Sequence, residues 1–153
     1  GIPLLLEKHV KISNRVSYGL HAMITLAMSD PETPTPLREM AEEQGIPAKY
    51  LEQTAAALKI AGLLDSVRGA HGGYRLTRSA SETTVWDVYV ALDSNACQIY
   101  RKATDSKNNK VTAEIEFVTD LNLTLQKVLQ SKTLANLATR EAQLRADKQK
   151  KRR

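Results

Sequence analysis

Apolar residues return every three or four positions along the first part of the chain. Ile12, Val16, Leu20, Met23 and Ala27 form one stripe and predict a helix from about Ser13 to Ser29. The prolines Pro31, Pro34 and Pro36 end it, since a helix interior lacks room for the ring and loses a donor. A second helix is expected to open with Thr35 as N-cap, Pro36 in the first helical position and Glu39 in the first turn. Leu37, Met40 and Ala41 face inward, and Gly45 takes the left-handed position after the last turn. The turn Gly45-Ile46-Pro47-Ala48 leads into a third helix that runs to about Ala61, buries Leu51, Ala55 and Leu58, and is closed by Gly62. Two short helices joined by such a turn have helix-turn-helix spacing.

The pattern then changes period. Leu63-Leu64-Asp65-Ser66-Val67 and Tyr74-Arg75-Leu76-Thr77 have the length of two short strands. Between them, Arg68-Gly69-Ala70-His71-Gly72-Gly73 carries the glycines of a tight reversal. A fourth helix is expected after Thr84, with Asp87 near its positive end and Val85, Val88, Tyr89 and Leu92 on its apolar side; Trp86 reads as core or interface. Periodicity is lost over 93–112, which reads as a long loop. It resumes with Phe117, Leu121, Leu125 and Val128, extended by Leu129. A last helix is expected from near Thr133, with Leu134, Leu137, Ala138 and Leu144 inward. The fold class is therefore mainly α with a small β-hairpin wing: a winged helix-turn-helix followed by C-terminal dimerisation helices.

Composition sharpens this division. Apolar residues make up 42% of the 153, enough for a core, with no run as long as a membrane span, and a cytoplasmic protein is expected. The net charge of +5 is unevenly spread. Residues 1–92 hold nine Lys/Arg against ten Asp/Glu, and 93–153 hold thirteen against seven. Five of the positives are Lys148, Lys150, Lys151, Arg152 and Arg153, a basic tail over 148–153 that reads as solvated or as an arm for phosphate. The expected organisation is a vector-derived or disordered segment over 1–9, a DNA-binding domain over 10–92, the loop over 93–112, dimerisation helices over 113–147 and the tail.

The candidate chemistry is recognition. The outer face of the third helix carries Lys49, Tyr50, Glu52, Gln53 and Lys59, and its first amides, from Ala48 onward, point toward any bound phosphate. The hairpin adds Arg68, Gly69, His71, Gly72 and Arg75. No Ser/His/Asp set, zinc-type His-x-Glu pair or Walker loop is present, and the glycine-rich turn lacks a following Lys-Ser/Thr, so an enzyme is not expected. The stripe Phe117, Leu121, Leu125 and Val128 needs a partner surface, which a second copy would supply.

Taken in order, these residues resemble the winged-helix repressor family that includes IscR, NsrR and CymR. The resemblance runs through Tyr18-Gly19-Leu20, Leu37-Arg38-Glu39-Met40-Ala41-Glu42, Tyr50-Leu51-Glu52-Gln53, Ala61-Gly62-Leu63, Ser66-Val67-Arg68-Gly69, Gly72-Gly73-Tyr74-Arg75-Leu76 and Val85-x-Asp87-Val88. It covers about 11–93 and implies a homodimer on double-stranded DNA. The third helices would lie in successive major grooves of a pseudo-palindromic operator, with the wings over the minor groove. It carries DNA contact onto Pro47, Lys49, Glu52, Gln53 and Arg68. Pro47 has no amide hydrogen, so a phosphate contact there falls to Ala48 and Lys49.

Cluster-binding relatives carry three cysteines after the fourth helix, whereas this chain has Cys97 alone. An iron–sulfur cluster needs about four ligands, mostly thiolates. Two copies of Cys97 supply two, so no cofactor and no metal are expected. Three alternatives stay open. One is an iron–sulfur or thiol redox sensor working through Cys97. Another is a regulator controlled by a metabolic-enzyme partner, as in the family's cysteine-metabolism branch. The last is a winged-helix interaction module that never touches DNA.

Overall fold

The computed structural model describes residues 12–93 and 111–153. The segment 1–9, most of the loop over 93–112, and Cys97 lie outside the described residues. Among these residues, six helices and one hairpin follow in order: α1 (Asn14–Met28), α2 (Leu37–Gln44), α3 (Ala48–Ile60), β1 (Leu64–Val67), β2 (Gly73–Leu76), α4 (Val85–Leu92), α5 (Ala113–Gln130) and α6 (Leu134–Lys151).

Local chemistry sets most of these ends. The Ser13 hydroxyl accepts from the Val16 amide at 3.3 Å and starts α1. Thr84 and Asp87 form a reciprocal capping box at α4, and Thr133 and Asn136 do the same at α6. Gly45 ends α2 at φ 67°. The start of α2 departs from expectation. Its N-cap is Pro36, which offers no side-chain acceptor, and Thr35 is not a cap. Thr35 instead pairs with the hairpin: its amide donates to the Tyr74 carbonyl, and the Tyr74 amide donates to the Thr35 carbonyl, both at 2.8 Å. A residue before proline is pushed out of the helical region toward extended backbone, and the sheet takes up that geometry.

The hairpin is antiparallel, with Leu64 opposite Leu76, Asp65 opposite Arg75, Ser66 opposite Tyr74 and Val67 opposite Gly73. Gly73 sits at φ 152°, and a Cβ there would run into the backbone of Thr35 and Pro36. Only glycine lets the two segments approach this closely.

One apolar core joins all the described helices except α5. Met23 and Leu26 of α1, Met40 of α2, Leu51 and Leu58 of α3, and Val88 and Leu92 of α4 are buried together. At Gly19 of α1 a Cβ would collide with Leu92 and Thr54, so α3 and α4 both press against this point. In the first turns of α4, Trp86 stacks on Tyr89 with ring centroids 6.0 Å apart. Burial, then the hydrogen bond and charge of Asp93, push the Tyr89 hydroxyl up to about 12.

The C-terminal helix belongs to this core. Leu134 is 0% exposed and packs among the residues of the first four helices. The Val85 amide donates to the Lys132 carbonyl, and the Leu134 amide to the Thr83 carbonyl, each at 2.9 Å. Arg145 then reaches Glu43 of α2 at 2.6 Å and Glu141 at 3.0 Å. Leu144, expected inward, is 41% exposed: with Arg145 turned to α2, its neighbour faces away. The helix continues into the basic run through Lys151.

Truncating Leu134 should leave a cavity in the common core and cost about 2–5 kcal/mol. Urea unfolding of Leu134→Ala is expected to show one transition at a clearly lower midpoint. An unchanged midpoint would mean that α6 packs as a separate unit.

Candidate nucleic-acid interface

Helix α3 divides cleanly into two sides. Leu51, Thr54, Ala55 and Leu58 are buried against the core. Lys49, Glu52, Gln53, Ala56 and Ile60 are exposed, and at 100° per residue they lie on one continuous arc. Pro47 caps the helix without a side-chain bond. The first amides turned inward are those of Tyr50 and Leu51, both donating to the Pro47 carbonyl. The amides of Ala48 and Lys49 head the helix, where the dipole favours an anion.

The two edges of the arc are tied to the scaffold. On one edge the Lys59 ammonium donates to the Ser66 hydroxyl of β1 at 2.6 Å, which anchors the wing to α3. On the other, the Tyr50 ring meets Tyr18 of α1 edge to face, with centroids 5.4 Å apart. Both residues were expected on the recognition face, and the structure places them at its margins.

Beside α3 stands the wing. Arg68, Gly69 and His71 are exposed at its tip, and Gly72 and Arg75 are half-buried. The turn is closed by the Gly72 amide on the Gly69 carbonyl at 3.0 Å. A Cβ at Gly72 would enter the Val67 carbonyl. Arg75 is drawn toward Asp65, directly across the ribbon, at 3.5 Å. At the base of the ribbon the Thr77 hydroxyl donates to the Gly62 carbonyl at 2.5 Å.

Among the described residues, Lys49 and Arg68 make no ion pair, while Arg38, Arg75, Arg78 and Arg145 each hold a carboxylate. The cations left without a carboxylate on this face are therefore Lys49 at the head of α3, Lys59 at its edge, where the ammonium meets only the neutral Ser66 hydroxyl, and Arg68 at the wing tip. Sequence reasoning missed Ala56 and Ile60. Their signal was the spacing 49, 53, 56, 60, passed over because the residues are apolar.

A second surface lies on α5. None of its residues is buried. Phe117 is 67% exposed, and Leu121, Leu125 and Val128 are exposed in the same register. Its other side is half-buried through Ile115, Val118 and Leu129. An 18-residue helix with a row of large apolar side chains facing water is an uncovered apolar face.

Among the described residues no helix is long and apolar enough to cross a membrane. Among the described residues the two histidines lie on different elements. His71 stands on the wing tip, His21 is on α1 with a buried Nδ1 that has no partner, and Cys97 lies outside the described residues.

The model of the Rrf2 family, described as an iron-dependent transcriptional regulator, matches residues 12–140. The chain is 39% identical over 84 residues to protein rrf2 of Nitratidesulfovibrio vulgaris, a match covering 55% of this chain and 56% of that protein. It is 32% identical over 143 residues to the transcriptional regulator IscR of Pectobacterium atrosepticum, covering 86% of this chain and 87% of that one. Among solved structures, CymR, the global cysteine regulator of B. subtilis, superposes with a TM-score of 0.71 at 33% identity. That superposition covers 86% of this chain and 98% of CymR.

Proposed function

From the premise that this chain belongs to the Rrf2 family of transcriptional regulators, not to a family of enzymes, we propose that it binds DNA as a sequence-specific homodimeric repressor in the cytoplasm. The observation that carries this reading is the shared frame of α3 and the wing. Reciprocal Thr35–Tyr74 bonds tie the ribbon to the connection before α2 and the Lys59–Ser66 bond ties it to α3, so Lys49, Gln53 and Arg68 are presented as one set. Helix α3 enters the major groove, where Gln53 pairs with an adenine edge and Glu52 accepts from a cytosine amine. Arg68 reaches the adjacent minor groove, and the amides of Ala48 and Lys49 hold a phosphate. The uncovered face of α5 meets the same face of a second copy, which gives a two-fold reader and hence a pseudo-palindromic site.

No cluster takes part in this reading. The family's description is iron-dependent, but the donors of this chain do not suit an iron–sulfur centre: one cysteine per copy, with His21 and His71 on distant elements. The operating signal is therefore sought in a partner or a ligand other than iron, an enzyme partner among them.

Three measurements test this. On an operator selected from random DNA, Gln53→Ala should lose about 1–3 kcal/mol and relax preference at one base pair. Arg68→Ala should weaken binding and flatten preference for an A·T-rich flank. A parent protein that selects no operator defeats the whole reading. Light scattering of Leu125→Glu should give monomers, because a charge at the middle of α5 cannot be buried without a partner. A variant that stays dimeric moves the interface elsewhere. Protein prepared without oxygen should absorb only through tryptophan and tyrosine. A brown preparation with stoichiometric iron and sulfide would restore the cluster.

A further inference from the structure

The arc of α3 that faces outward is polar at its head and apolar beyond it. Lys49, Glu52 and Gln53 occupy the first half, and Ala56 and Ile60 continue the same line one and two turns later. Ile60 is 88% exposed, the least covered of the large apolar side chains among the described residues. No break in the helix explains this: α3 runs unbroken to Ile60, and the amides of Ala61, Gly62 and Leu63 donate to the carbonyls of Ala57, Lys59 and Leu58. Nor is the arc diluted by long polar neighbours. Lys59 is held by Ser66 and Tyr50 by Tyr18, which leaves Ala56 and Ile60 unshielded in the centre of the outward face.

We infer that Ala56 and Ile60 read thymine by contact with its 5-methyl group in the major groove. This rests on the DNA-binding reading above and adds a second kind of recognition to the same helix. Thymine is the one base whose major-groove edge carries a methyl group, and a small apolar side chain is its usual counterpart. Ala56 is short enough to let the helix backbone approach, and Ile60 is long enough to reach the next base step. The apolar pair is continuous with the polar readers on one arc, and Lys59, next to Ile60 in the chain, and Arg68 at the wing tip carry charges that no carboxylate of the described residues pairs, which favours a polyanion over an apolar protein partner. The half-site is thus expected to place thymines beside the base pairs contacted by Glu52 and Gln53.

The test uses the full chain and its selected operator, with deoxyuridine replacing thymine at one position at a time. The base pair is kept and only the methyl group is lost. One or two positions in each half-site should weaken binding by about fourfold each, the worth of one buried methyl-sized group. In Ile60→Gln and Ala56→Ser, one of these positions should become indifferent to the replacement while the rest of the operator preference is kept. Ile60 is so exposed that its replacement leaves the core untouched, which circular dichroism checks. A parent that binds uracil and thymine operators equally overturns the inference while leaving the DNA-binding reading intact. So does a deoxyuridine penalty that persists unchanged in both variants, since it then comes from DNA shape. Failure to select any operator belongs to the wider reading alone.

Discussion

Two reciprocal backbone hydrogen bonds between Thr35 and Tyr74 hold the geometry on which the candidate interface depends. A ribbon of four-residue strands is marginal by itself. Here it is stabilised by borrowing an extended residue from the connection between α1 and α2. Pro36, directly after Thr35, keeps that residue extended, and Gly73 removes the side chain that would block the approach. Lys59 and Thr77 tie the ribbon to the end of α3 at two more points. The wing tip therefore moves with α3, and Arg68 keeps its place relative to Lys49 and Gln53.

The return of α6 couples the exposed helix α5 to this frame. Leu134 enters the core, the backbone at Thr84 pairs with that at Thr133, and α5 packs against α4. The Arg145–Glu43 contact joins α6 to α2, the helix that leads into the turn before α3. Such a solvated pair contributes about 0–1 kcal/mol, so it orients α6 more than it stabilises the fold. A surface that covers α5 thus reaches the reading helix through α4, which packs against α5 on one side and against α1 and α3 on the other.

Much of this was legible in the sequence, and the gaps have physical causes. Local signals were read correctly wherever one residue determines a backbone state. Thr84 with Asp87, Thr133 and Gly45 each end or begin a helix as their chemistry dictates. Thr35 was misread because a threonine before Pro suits both a cap and an extended residue, and only the distant Tyr74 decides between them. Leu144 was misread because a stripe of leucines does not say where the helix leaves its support. The margins of the reading face were hidden for a related reason. Lys59 and Tyr50 have partners, Ser66 and Tyr18, that become neighbours only after folding.

Charge has an unexpectedly small part on the reading face. The positive excess sits in the second half of the chain, and Lys148, Lys150 and Lys151 serve the last turn of α6, where cations offset the helix dipole. On α3, Lys49 stands beside the carboxylate of Glu52, so their net contribution to a long-range pull on phosphate is slight. Affinity on the proposed reading must then come from fit at the base edges. Glu52 makes that requirement strict. A carboxylate carried into the groove is repelled by every phosphate it passes and recovers the loss only where a cytosine amine donates to it. It discriminates mainly by penalising wrong sites, which is how a face with so few cations remains selective.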